Sequence, residues 1–246
     1  MTPRRVNEEF GVGALDCSSP QGVSMDRFKV CVLGGSGFIG AEICRLAVAM
    51  GHRVVSVSRG GRPPIDEPWV EGVDWVSADV GDVESWSAHL AGCEALVHSV
   101  GIAAEDPANE QTYRRLHRHS VQQAARAAEQ AGVPKFVMLS AGKVPPAMPH
   151  GFLQSKLDGE ASLQGLDMAV AILRPVLVHD EDGRAAGMLG TAAGELPPVR
   201  VWAEETTGLR REKVAMAALR AALQPETTGV LEVDDIAYLG DAMFIQ

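Results

Sequence analysis

The chain has 246 residues, 46% hydrophobic and 22% charged, which suits a globular protein with one sizeable core. Its formal net charge of −10 argues against a general nucleic-acid or anionic-membrane binder, so any anionic ligand must be held by local groups. No apolar run reaches the ~18 residues of a membrane span. The four cysteines (Cys17, Cys31, Cys44, Cys93) lack CxxC spacing and read as reduced, partly buried thiols rather than a metal site or disulfides.

Residues 1–27 mix Arg4 and Arg5 with Glu8, Glu9 and Asp16 and hold no apolar h-region. They are expected to be a flexible tail, or a start misplaced before Met25, and not a secretory or transit signal; cytoplasmic is the default location. From residue 28, apolar strands alternate with helical patterns. Strands are expected near 28–33, 53–58, 74–77, 94–98, 135–140 and 169–173, and helices over 38–50, 82–90, 109–131 and 151–164. The third helix has its stop signal in Gly132 followed by Pro134. From Asp180 to Pro198 the pattern dissolves into a stretch expected to be mobile. A helix over 211–223, a short strand over 229–233 and a last helix would follow. The alternation implies a single doubly wound, parallel-sheet α/β domain of Rossmann type. Its core would span 28–180, and 181–246 would form a small C-terminal substrate or lid region.

Between the first strand and the first helix runs Gly34-Gly35-Ser36-Gly37-Phe38-Ile39-Gly40, with glycines at 34, 37 and 40 in GxxGxxG spacing. A strand, a glycine turn and a helix start make a pyrophosphate site, because the helix start offers unpaired N–H groups and a partial positive charge. The flanking strand and helix are the context that gives the glycines this meaning.

At the end of the second strand an NAD-binding protein places a carboxylate on the ribose 2′-hydroxyl. Here Val57-Ser58-Arg59-Gly60-Gly61-Arg62 carries none. Arg59 would meet a 2′-phosphate with its planar fork, favouring NADP(H) over NAD(H); the alternative is a solvated loop arginine. Asp79-Val80 follows the third strand, where the aspartate would touch adenine or cap the next segment. Ser99-Val100-Gly101 follows the fourth, where close-approaching backbone would line the cofactor.

These pieces together resemble the short-chain dehydrogenase/reductase superfamily, in its extended and atypical branches, over roughly residues 28 to 180. Further words carrying the resemblance are Ala131-Gly132-Val133-Pro134-Lys135-Phe136-Val137, Leu139-Ser140-Ala141 and Leu173-Arg174-Pro175. Val54 to Arg59, Val97 to Ile102 and Gly151-Phe152-Leu153-Gln154-Ser155-Lys156 look like the coenzyme Q biosynthesis branch, relatives of a complex I accessory subunit. The resemblance implies a Tyr-x-x-x-Lys pair on the helix after strand five. Here Lys156 takes the lysine position and Phe152 the tyrosine's, which removes the hydroxyl. General acid–base help of this kind is worth ~10²–10⁴ in rate.

Lys156 would still hold the nicotinamide ribose; the plain alternative is a solvated helix lysine. Ser140 lies where the family's catalytic serine begins its loop, or caps a strand. His117 fits the slot of the family's helix asparagine, and with His119 reads as a core or surface histidine rather than a metal ligand. His150, just before Phe152, is a candidate substitute proton donor.

The expected function is NADP(H) binding by a weakly or non-catalytic protein linked to a quinone-biosynthetic or respiratory complex. The alternatives are an active reductase or epimerase with another proton donor, and an NADPH-sensing regulator. No metal and no nucleic-acid partner are expected.

Overall fold

The computed structural model describes residues 27–145, 148–181, 206 and 208–241. The expected tail over 1–27 lies, but for Arg27, outside the described residues, as do Cys17 and nearly all of the stretch expected to be mobile.

The elements in chain order are β1 (Lys29–Leu33), α1 (Gly40–Ala49), β2 (Arg53–Ser58), β3 (Val73–Ser77) and β4 (Ala95–His98). There follow α2 (Ser120–Gln130), β5 (Lys135–Leu139), α3 (His150–Ala161) and β6 (Ala169–Leu173). The chain continues with β7 (Val178–His179), β8 (Leu209–Arg210), α4 (Arg211–Leu223), β9 (Gly229–Leu231) and α5 (Val233–Asp241). Seven strands form one sheet in the order β3-β2-β1-β4-β5-β6-β9, and every pairing is parallel. β7 and β8 make a separate two-stranded parallel pair.

Both faces of the sheet are covered, which is why its central strands β1, β4, β5 and β6 are largely apolar. Alternate residues of β1 serve opposite cores, as a period of two requires. Val30 and Val32 pack with Ile43 and Ala47 of α1 and Val214 and Leu219 of α4. Cys31 and Leu33 face Trp86, Val121 and Ala124 on the other side. Cys31, Cys44 and Cys93 are buried free thiols. Among the described residues, no helix is long and apolar enough to cross a membrane.

β1 is flanked by β2 on one side and β4 on the other, so successive crossovers leave in opposite directions there. The carboxyl ends of β1 and β4 therefore open a crevice, where ligands bind in sheets of this kind.

Two helices differ from the periodicity reading. Residues 82–90 form two short 3₁₀ segments, Val83–Ser85 and Ser87–Leu90. Between them Trp86 sits at φ −132°, its fully buried indole donating to Val80 O at 3.2 Å. Burying that side chain overrides a continuous helix. Residues 109–131 start late: Glu110 has φ 55°, and a π-helical segment, Arg114–His119, leads into α2.

Candidate functional site

The glycine run folds as a turn that only glycine permits at three points. Gly34 has φ +83°, and a Cβ on it would stand 3.0 Å from Ser99 O. On Gly35 a Cβ would meet Ser56 Oγ at 2.2 Å, and on Gly40 it would meet Gly34 O at 2.2 Å. The turn is pinned by Gly34 N–H to Val57 O (2.8 Å) and Gly37 N–H to Gly34 O (2.9 Å). It therefore seats the start of α1 against β2 and the loop after β4. Gly37 lines both halves of the crevice, Ser36 one half, and Phe38 and Ile39 the other. Arg211 of α4 lies over the Phe38 ring, 5.1 Å from its centroid.

One half of the crevice is a 230 Å³ cavity lined by Gly34, Ser58, Arg59, Asp79, Val80 and Ser99 among others. Arg59 is exposed, and its guanidinium has no hydrogen-bonding or ion-pair partner among the described residues. Arg62, on the same loop, is tied to Glu71. Ser77 Oγ donates to Arg59 O at 3.0 Å and Ser58 Oγ to Gly61 O at 3.1 Å, which fixes the loop backbone. Asp79 accepts from Gly81 N–H at 2.7 Å and pairs with Arg115 at 2.9 Å. Arg115, in the π segment, carried no signal in the sequence, because its partner lies 36 positions away.

The other half is a 280 Å³ chamber. Its walls include Ile102, Val144, Met148, Phe152, Val176 and Leu177, and its polar groups include Ser99, Ser140, His117 and Lys156. Lys156 is buried, 5% exposed, and is no solvated helix lysine. Its Nζ donates to Leu139 O at 3.0 Å and more weakly to Val100 O at 3.4 Å. Burial pushes the ammonium down to about 8, against the opposing pull of Glu160. Phe152, one helical turn earlier, lines the same chamber. Its ring is edge-on to Tyr113, with centroids 5.6 Å apart.

His117 is fully buried, and its bonds define its tautomer. Nε2 accepts from Ile102 N–H at 3.1 Å, so the proton is on Nδ1 and is donated to Ser155 Oγ at 3.0 Å. Ser155 in turn donates to Phe152 O at 2.7 Å. Burial, then the Lys156 ammonium, pushes this imidazole down to about 2. A Cβ on Gly159 would stand 2.3 Å from His117 O, so α3 approaches the π segment only through a glycine.

Ser140 Oγ donates to the buried carboxylate of Glu160. Glu160 is also held by Arg174 Nε at 3.1 Å, and Arg174 reaches Glu232 at 3.0 Å. Neither Glu160 nor Arg174 stood out as a site residue in the sequence, since the three meet only through the fold. His150 opens α3, is exposed, and is not among the residues lining the chamber. Thus Gly101, Ser140, Phe152 and Lys156 come together, Arg59 and Asp79 share the opposite half, and His150 stands apart.

A protein-family model described as NAD(P)H-binding matches residues 34–225. An uncharacterised chloroplastic protein of Arabidopsis thaliana is 34% identical over 177 residues, 70% of this chain and 58% of its own length. The chain thus spans less than two thirds of that relative. MIOREX complex component 2 of Saccharomyces cerevisiae is 28% identical over 209 residues, covering 65% of this chain and 76% of that protein. Among solved structures, the Bordetella bronchiseptica enzyme WbmG in complex with NAD has a TM-score of 0.63 at 18% identity, covering 86% of this chain and 74% of that one. That likeness is one of fold. With its glycine turn, parallel sheet and matched residues, the chain belongs to the NAD(P)H-binding family.

Proposed function

We propose that the chain binds NADP(H) across the crevice as a weakly or non-catalytic protein serving a quinone-biosynthetic or respiratory assembly. The observation that carries this reading is Phe152 in the chamber beside the buried Lys156. A ring without a hydroxyl stands where the superfamily's proton donor is expected, while the cofactor-holding groups are kept.

The residues fit the nucleotide. The turn from Ser36 to Ile39 leads into a helix start, where N–H groups other than that of Gly37, which donates to Gly34 O, suit a pyrophosphate. Gly34, Gly35 and Gly40 leave no room for a Cβ. Arg59 offers an uncommitted guanidinium for a 2′-phosphate, and no carboxylate lies on Ser58 to Gly61 to receive a bare 2′-hydroxyl. Asp79 would border the adenine, the backbone from Ser99 to Gly101 would line the nucleotide, and Lys156 would hold the nicotinamide ribose. When bound, such a nucleotide supplies a hydride.

The assembly link is supported by two facts. The yeast relative is named as a component of the MIOREX complex. The chamber walls are largely apolar, which suits a quinone better than a charged metabolite. A cytoplasmic location is the working expectation, which fractionation of the native cell checks.

Parallel titrations with NADPH and NADH, read by intrinsic tryptophan fluorescence, test the reading. NADPH is expected to bind at least tenfold more tightly. Equal affinities remove the role of Arg59, and binding of neither nucleotide removes the proposal.

A further inference from the structure

We infer that Lys156 is itself the proton donor of the chamber, passing a proton to the oxygen of an uncharged carbonyl compound held against Phe152. The inference rests on the proposed nucleotide site and deepens its weakly catalytic arm.

The chain has two tyrosines, Tyr113 and Tyr238. Tyr238 is 76% exposed on α5, on the opposite face of the sheet from α3. The Tyr113 hydroxyl donates to Ala103 O at 2.7 Å, and this residue is not among those lining the chamber. Of the seven histidines, His117 is the one that lines it, and its single proton is committed to Ser155. Ser140 donates its hydroxyl proton to Glu160, so it offers only lone pairs to a ligand. No cysteine among the described residues lines the chamber. The residues outside the described set contain no tyrosine, histidine or lysine, and Cys17 as their single cysteine.

Lys156 remains. An ammonium has three protons, and here two carbonyls accept, one of them at the long distance of 3.4 Å. No carboxylate lies within ion-pair distance among the described residues. The titratable groups around it are Glu160 on its own helix, already bound by Ser140 and Arg174, and the neutral imidazoles of His117 and His98. Burial lowers the affinity of the nitrogen for its proton towards the neutral range, where a general acid works best.

The step balances simply. A reduced nicotinamide nucleotide is the two-electron reductant. As the carbonyl carbon gains its hydride, the π pair moves onto oxygen and takes a proton from Nζ. The N–H bond breaks with its electron pair left on nitrogen, and the amine is recharged by a proton from water.

Two measurements on the full chain test this. In the first, competitive labelling with acetic anhydride across pH 6–11, read by mass spectrometry on the Lys156 peptide, follows the amine directly. Lys156 is expected to titrate at least one unit below the surface lysines and to be protected by NADPH. In the second, NADPH-dependent reduction of menadione is followed against pH, with NADPH affinity measured alongside. The wild type is expected to lose kcat/KM on the alkaline side as Lys156 loses its proton. Lys156→Arg, which keeps the charge and does not titrate, is expected to lose that limb and at least tenfold in kcat while binding NADPH.

An ordinary lysine titration overturns the inference, as does a Lys156→Arg profile like the wild type. So does a limb abolished by His150→Ala, or no menadione turnover with NADPH bound. Failure to bind NADPH at all is instead the failure of the nucleotide reading.

Discussion

The rings of Phe152 and His117 meet edge to face, with centroids 5.1 Å apart and planes at 85°. That contact joins α3 to the π segment beside the chamber. It also explains the size of residue 152: the site keeps an aromatic ring because the ring packs on an imidazole, whatever becomes of a hydroxyl. Phe152→Tyr is therefore expected to fold normally and to bind NADPH within about threefold of wild type. With a phenol added near Lys156, turnover of menadione should rise by roughly tenfold or more, given that acid–base help spans ~10²–10⁴. A collapse of NADPH affinity would show that the ring lies against the nicotinamide site differently from this arrangement.

Arg59 decides between nucleotides if its guanidinium meets a phosphate. Arg59→Asp should reverse the preference, weakening NADPH by about 1.5–3 kcal/mol, the scale of a charge-assisted hydrogen bond, and strengthening NADH. Paired calorimetric titrations measure both sides. An unchanged ratio of affinities would mean that Arg59 is only a solvated loop residue.

Much of this was legible locally. Strands over 53–58 and 169–173 match the structure residue for residue because buried parallel strands concentrate valine, isoleucine and other apolar residues. The glycine turn was legible for a related reason, since close backbone approach admits no other residue. What escaped depends on distant partners. Trp86 broke an amphipathic stretch because its indole found a buried slot and the carbonyl of Val80. Arg115 acquires a role only through Asp79, and Ser140 loses its free proton only through Glu160. The two-residue strands β7 and β8 are too short to show any period at all.

Two glycines test the architecture of the site separately. Gly40→Ala places a Cβ 2.2 Å from Gly34 O, inside the turn. Gly159→Ala places one 2.3 Å from His117 O, where α3 meets the π segment. Backbone, not a flexible side chain, is the obstacle in both. Each should cost about 1–3 kcal/mol or more by overpacking. Their consequences should differ: Gly40→Ala abolishes nucleotide binding, whereas Gly159→Ala disturbs the chamber and spares the affinity for an adenosine fragment such as 2′,5′-ADP. Chemical denaturation and fragment titration on the two variants give the comparison.

The pair of buried imidazoles makes stability depend on acid. Burial, then the Lys156 ammonium, pushes His98 down to about 3 and His117 to about 2, both from an ordinary 6.5. Below pH 6.5 the unfolded chain takes up protons that the folded chain refuses, so the unfolded state is favoured as pH falls. The stability is fully present above pH 6.5 and is lost progressively from there towards pH 3. Each histidine contributes a slope of about 1.4 kcal/mol per pH unit once its unfolded form is protonated. His117→Gln can still accept from Ile102 N–H and donate to Ser155, yet it does not titrate. Urea midpoints between pH 4 and 7 should therefore fall more shallowly in this variant, by about one histidine's share, even if it starts less stable at pH 7. A slope identical to wild type would mean that His117 takes up its proton in the folded state, and the donation to Ser155 with Nε2 as acceptor would then be wrong.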